Sequence, residues 1–181
     1  MNCSKCNKKA TISTPFGERD YCDKHFMEFI EKRIRKDLRT KQTLDVKKSY
    51  FIYNNKSHKY KITKHFLKNI FGDILKLKEL TKENSKKQNV IIPRSLEDES
   101  DEFLDSFLKN NILKEKKVIN PLRTILEIEL SEICRILKIN YKSKKHNELV
   151  ENLEQSYHGT KFSVMKSKNF IKKNKKIKER H

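Results

Sequence analysis

Glycine is nearly missing from this sequence: there are three in 181 residues, at Gly17, Gly72 and Gly159. A loop that wraps its backbone amides around a phosphate needs glycine, because only glycine brings the backbone that close. None of the three follows the first strand-like run, so a Gly-rich nucleotide loop has no residues to be built from. The strained elbow of a serine hydrolase is excluded on the same ground. Long apolar runs are also lacking, and no stretch approaches the ~20 residues of a membrane span. Met1–Cys6 lacks the apolar core of a secretion signal. Acid is short against base, with Asp+Glu 24 and Lys+Arg 43, and hydrophobic residues make up only 35%. The length suits one domain, or one domain with a small appendage. These shortages predict a soluble, cytoplasmic, basic protein with a thin core, fastened by a metal, a partner subunit or a bound polyanion.

The net charge of +19 is the largest single feature that is present. Only eight of the basic residues are arginine, and Lys, Asn and Ile are all plentiful, as an AT-rich genome would also make them. Genome bias does not by itself leave acid and base so unequal. A surplus of this size draws phosphate backbones and weakens with salt.

Four cysteines are present, and three of them fall in one short segment with a histidine. Cys3, Cys6, Cys22 and His25 form the pattern C-x2-C-x15-C-x2-H. Two knuckles with two-residue gaps turn the backbone so that four ligands face one ion, and Pro15-Phe16-Gly17 supplies a turn between them. Three thiolates and an imidazole suit Zn2+ in a closed structural site. Cys134 lies in the apolar helical stretch Leu130–Leu137 and reads as a small buried hydrophobe.

Beyond the knuckle, Phe26, Phe29, Ile30, Ile34 and Leu38 recur at helical spacing, with Lys32, Arg33, Arg35, Lys36 and Arg39 on the other face. Ser49–Tyr53 reads as a strand, Ile62–Leu80 as apolar at helical spacing, Thr81–Gln88 as a polar linker, and Asn89–Pro93 as a second strand. A helix follows Ser95, its acidic group Glu97, Asp98, Glu99, Asp101 and Glu102 suited to a helix start more than to magnesium. Lys117–Asn120 reads as a third strand, Pro121 to about Lys138 as a helix, Glu148–Tyr157 as a last helix, and the end as a lysine tail. Strand and helix in alternation predict a small parallel α/β layer. The predicted divisions are 1–27 for the knuckle, 28–48 for the basic helix and linker, 49–165 for the α/β domain and 166–181 for the tail.

Cys3-Ser-Lys-Cys6 and Tyr21-Cys22-Asp-Lys-His25-Phe26, with the basic helix behind them, resemble the N-terminal zinc finger of the PP-loop tRNA 2-thiolation family. Ser95-Leu-Glu-Asp-Glu-Ser-Asp-Glu-Phe-Leu104, Asn120-Pro-Leu-Arg123 with Glu127 and Glu129, and Leu153-Glu154 with His158-Gly-Thr-Lys-Phe-Ser163 are similar to its later segments, in order. The resemblance implies a reduced PP-loop sheet, of the adenine nucleotide alpha hydrolase-like and Rossmann-like class, with flanking helices behind the zinc knuckle. Departures are equally plain. Asn54-Asn55-Lys56-Ser57-His58 stands where active members carry an SGGKDS loop. Tyr141-Lys-Ser-Lys-Lys145 stands near their Cys-Pro-Tyr motif, His158 replaces the proline of PGT, and Lys172–Arg180 replaces a second zinc finger.

The resemblance therefore implies the degenerate, non-catalytic partner subunit of such a thiolase, in a shortened archaeal form. Its expected partners are tRNA and a catalytic PP-loop thiolase subunit. Lys32, Arg33, Arg35, Lys36 and Arg39 are the expected phosphate contacts, with Lys161, Lys166 and Lys168 as a second patch. A stand-alone zinc-knuckle RNA- or DNA-binding adaptor and a diverged ATP-dependent thiolase are the alternatives.

Overall fold

The computed structural model describes residues 1–14, 19–81, 88–109 and 118–178, with side chains as far as Ile171. The turn at Pro15-Phe16-Gly17, most of the Thr81–Gln88 linker and the side chains of Lys172–Arg180 lie outside the described residues. The chain divides into two compact units, Met1–Ser95 with Lys116–Ser143, and Leu96–Glu115 with Lys144–His181.

In the first unit, β1 (Ile12–Ser13) and β2 (Asp20–Tyr21) pair antiparallel, Ile12 opposite Tyr21. Helix α1 (Asp23–Thr40) follows. Then come β3 (Tyr50–Tyr53), α2 (His58–Phe71), β4 (Leu77–Leu80), β5 (Val90–Ile91), β6 (Val118–Ile119) and α4 (Glu127–Leu137), with α3 (Leu96–Leu108) belonging to the second unit. The four later strands form one parallel sheet in the order β4-β3-β5-β6. This is the α/β class expected, with one strand more than the pattern showed.

The extra strand corrects the helical reading of Ile62–Leu80. Helix α2 stops at Phe71 because Gly72 caps it at φ 57, a conformation suited to glycine, and its amide returns to the Lys68 carbonyl. The chain then turns and lays Leu77–Leu80 along β3. Glu79 anchors that edge strand, accepting from Lys64 Nζ at 2.8 Å, from Asn54 Nδ2 at 2.9 Å and from the Tyr60 hydroxyl. A second correction falls at Pro121, where a turn precedes a helix that starts only at Glu127. Asn120 causes it, its side-chain oxygen accepting the amides of Leu122 and Arg94 at 3.1 Å each.

The core gathers Tyr21, Phe26, Ile30, Ile34 and Leu38 with Ile52, Ile62, Phe66, Ile91, Leu122, Leu130 and Ile133. Helix α1 runs through it and is held by charge at two levels. Arg33 pairs with Glu129 of α4. Arg123 grips Asp37 with two hydrogen bonds of 2.8 Å, and Gln42 joins Asp37 (2.7 Å) to both backbone groups of Asn120 (2.7 and 2.6 Å).

The second unit consists of α3 (Leu96–Leu108), α5 (Glu148–Ser156) and α6 (Thr160–Lys178). Helix α6 corrects the reading of 166–181 as a tail, because one continuous helix runs from Thr160 across that boundary. The 27/28 boundary likewise falls inside α1. Glu154 starts α6 by accepting the amides of Gly159 (2.8 Å) and Lys161 (2.7 Å). The acidic run of α3 pairs with bases: Glu97 with Lys161, Asp98 with Lys144, Glu99 with Lys168 and Asp101 with His146.

Two outcomes follow from these networks. Arg123→Met strands a buried carboxylate and should lower unfolding free energy by about 3 kcal/mol, read from the urea midpoint at constant slope. The Lys64 ammonium, with the Tyr60 and Asn54 donors, holds the Glu79 carboxyl down at about 2. Its folded pKa is depressed, so its contribution is full above the ordinary carboxylate range and is lost as pH falls toward 2. The difference in thermal midpoint between wild type and Glu79→Gln should be largest above pH 5 and shrink steadily toward pH 2.

Candidate functional site

The N-terminal segment folds back on itself to bring its ligands together. The Cys3 amide donates to the Lys8 carbonyl at 2.9 Å and the Cys6 amide to the Cys3 carbonyl at 3.3 Å, closing a tight turn between the two thiols. The Ser4 amide reaches the Asp20 carbonyl at 2.8 Å, tying that turn to β2. Cys22 sits in extended conformation at the N-cap of α1, and His25 lies on the helix's first turn. A C-x2-H spacing across a helix start places both side chains toward the Cys3–Cys6 turn.

The distances describe one ion's coordination shell. His25 Nδ1 is 3.4 Å from Cys3 Sγ and 3.4 Å from Cys22 Sγ, and Cys6 Sγ is 3.9 Å from Cys22 Sγ. All four ligand atoms lie within 4.8 Å of one another. A tetrahedron with metal–sulfur bonds of about 2.3 Å and a metal–nitrogen bond of about 2.1 Å has edges of roughly 3.8 Å and 3.6 Å. Three of the six ligand distances match those edges to within about 0.2 Å, and the four residues could hold one metal ion. Cys3 and Cys22 are buried, while Cys6 and His25 are half-buried. Burial works against the Cys3 thiolate, but backbone hydrogen bonds from Cys22, Lys5 and Cys6 and a bond with His25 outweigh it and bring the thiol down to about 6. The Lys8 amide favours the Cys6 thiolate, but burial and the neighbouring Cys3 and Cys22 sulfurs prevail and push it up. Crowded sulfurs of this kind are what a cation would relieve. Asp23 braces the centre from outside, joining Thr11 (2.6 Å) to Arg135 of α4 (2.7 Å).

The predicted phosphate contacts separate into distinct fates. Lys32, Lys36 and Arg39 are exposed on one face of α1, at i, i+4 and i+7, and make no ion pair among the described residues. Arg35 is exposed and paired with Glu31 at 2.7 Å. Arg33 turns inward, stacking over Phe29 at 5.2 Å and pairing with Glu129, so it is corrected to a packing residue. Lys166 is exposed on α6. Lys161 and Lys168 are also corrected. They are 9% and 5% exposed and bind Glu97, Glu151 and Glu99, which leaves neither facing solvent. Burial opposes the Lys161 charge, yet Glu151 and Glu97 raise its pKa overall. Exposed Lys41 and Lys47 lie just beyond α1 and were not singled out by motif.

The strand-to-helix turn after β3 is closed on itself. Asn54 Oδ1 accepts the Lys56 amide at 3.0 Å, Asn55 Oδ1 the Ser57 amide at 3.1 Å, and Ser57 Oγ the Tyr60 amide at 3.2 Å. Cys134 is buried, and burial first, with the Glu127 charge second, pushes its thiol up to about 11.

The sequence matches no family model and no curated protein. Among solved structures, the fold is similar to that of the U34-tRNA thiolase NcsA from Methanococcus maripaludis, solved with its [4Fe-4S] cluster. The TM-score is 0.74 at 14% identity, covering 94% of this chain and 87% of that one. At that identity the likeness establishes the fold alone, a parallel α/β sheet with flanking helices. No helix among the described residues is long and apolar enough to cross a membrane.

Chelation should expose the dependence of the knuckle on metal. Wild-type protein should carry one metal ion per chain by elemental analysis, and Cys22→Ser should carry substantially less and melt at lower temperature. Unchanged metal content in Cys22→Ser would remove the centre as described.

Proposed function

We propose that this chain is a non-catalytic, zinc-binding subunit of a tRNA uridine 2-thiolation complex that holds tRNA and a catalytic PP-loop homologue. The observation that carries the reading is the row Lys32, Lys36 and Arg39, exposed and without ion pairs among the described residues, on the helix that leaves the metal centre of a thiolase-like fold. Contacts from such a row meet phosphates, which position an RNA without reading its bases.

Zinc is favoured over an iron–sulfur cluster by the span of the ligands. A four-iron cluster binds each thiolate to a different iron and spreads its ligands around a cube, whereas these atoms lie within 4.8 Å of one another. Zinc would hold the start of α1 against the first turn and take no part in a reaction, since all four positions are filled by protein.

The absence of catalysis is supported by two features. The amides of Lys56, Ser57 and Tyr60, which would face a phosphate, are spent on Asn54, Asn55 and Ser57. Outside the metal centre the sequence has one cysteine, Cys134, and burial keeps that thiol protonated. A protein partner is supported by the exposed apolar residues Leu149 and Leu153 on α5 and Tyr157 at its C-terminal end.

Affinity purification from native lysate should recover both tRNA and an SGGKDS-bearing homologue, and recovery of neither would refute the proposal. If the gene is deleted and bulk tRNA thiouridine stays unchanged, the chain is an adaptor outside thiolation. Replacing Lys32, Lys36 and Arg39 by alanine should weaken tRNA binding and lower the log–log salt slope by about 3. Lys161→Met and Lys168→Met should leave that slope alone and lower the thermal midpoint.

A further inference from the structure

The strand order β4-β3-β5-β6 reverses direction between β3 and β5. In parallel sheets of this kind, the ligand crevice opens outside the carboxyl ends of the two strands at the reversal. Here the first turn of α2, the segment after β5 and the start of α4 bring Lys59, Ser95 and Glu127 to that end, and Tyr141 reaches Glu127 from the segment beyond α4. The Lys59 ammonium pairs with the Glu127 carboxylate and donates to Ser95 Oγ at 3.2 Å. Ser95 donates to Glu127 Oε1 at 2.7 Å, and the Tyr141 hydroxyl to Oε2 at 3.1 Å. The Tyr141 ring leans on His58 at 4.8 Å between centroids. The Lys59 and Glu127 side chains are 9% and 12% exposed.

One carboxylate thus receives an ammonium and two hydroxyls, the donor set that a phosphate oxygen would otherwise take. We propose that Glu127 is an internal anion seated in this crevice, and that it excludes phosphate-bearing ligands by occupying their donors. A phosphate brought to Lys59 would meet the Glu127 carboxylate at contact, anion against anion where both side chains are largely buried, and that repulsion is strong. The crevice is therefore a latent anion site whose own carboxylate is the resident competitor. The inference rests on the crevice and not on RNA binding.

Amide spectra of the full wild-type chain titrated with inorganic pyrophosphate test it directly. Shifts should appear around Lys32, Lys36 and Arg39, while Lys59, Ser95, Glu127 and Tyr141 stay unmoved. Saturable shifts at those four would overturn the proposal. Glu127→Gln keeps the shape and removes the charge, and should bind pyrophosphate at least tenfold more tightly than wild type, with shifts at Lys59 and Ser95. A folded Glu127→Gln protein that gains no pyrophosphate binding would also overturn it. Should that variant not fold, the wild-type spectra decide alone. tRNA binding measured on the same samples keeps this outcome separate from that of the proposed function.

Discussion

The two-pronged grip of Arg123 on Asp37 is the contact on which the first unit depends. Asp37 is 9% exposed in the last turn of α1, and a carboxylate there is tolerable only with its charge matched. Arg123 matches it from the turn after β6, and Gln42 extends the match to both backbone groups of Asn120. The end of α1 is thereby joined to the sheet by polar bonds with defined directions. A core with few large side chains does not fix a helix's rotation by volume alone, and directional bonds supply what packing leaves open. With α1 rotated as it is, Phe26, Ile30, Ile34 and Leu38 face inward and Lys32, Lys36 and Arg39 face water.

The Cys3, Cys6, Cys22 and His25 cluster would fix the other end of the same helix with a cation bound. Its ligands come from two places that have no other strong reason to meet: a six-residue turn at the N-terminus and the first turn of α1. Two-residue strands do not hold such pieces together. The four ligand atoms, at tetrahedral spacing, do so once a cation is bound. Asp23 adds a tie from the centre to α4 through Arg135, so both ends of α1 are referred to the same sheet-and-helix layer. Ion pairs, and a cation where the four ligands hold one, would act here in place of a larger core.

Much of this was legible in sequence because it is local. The C-x2-C-x15-C-x2-H spacing carries its own geometry, and the short β-branched runs at Ser49–Tyr53 and Asn89–Pro93 contain β3 and β5. Helix α1 followed from its apolar period. What was missed depends on partners distant in sequence. Leu77-Lys78-Glu79-Leu80 has a helical look, two leucines three apart with no β-branched residue, and becomes a strand because Gly72 ends α2 and β3 offers an edge. The lysine-rich end contains few helix breakers and needed only the Glu154 cap to start α6. Arg33, Lys161 and Lys168 look like surface bases in sequence because their acids are far along the chain, at Glu129, Glu97 and Glu99. Glu127 belonged to a recognisable segment, yet nothing in one dimension shows that Lys59 and Ser95 converge on it.

Those distant pairings also decide what the charge means. Every internal ion pair removes one base and one acid together, so pairing cannot reduce a surplus of +19; it only determines which bases are left over. The acids are spent where burial or helix starts demand them: Glu129 on Arg33, Asp37 on Arg123, and the run Glu97, Asp98 and Glu99 on three lysines of the second unit. Few acids remain near the outer face of α1, where Glu31 engages Arg35 and the neighbouring bases stand alone among the described residues. The field that results is not spread evenly over the chain. Internal pairing cancels it where helices are stapled together and leaves it standing along the helix that the Asp37–Arg123 pair holds in place. A polyanion meeting that face finds cations at fixed spacing whose ordering was completed on folding, and so loses less in binding than it would to a flexible lysine tail.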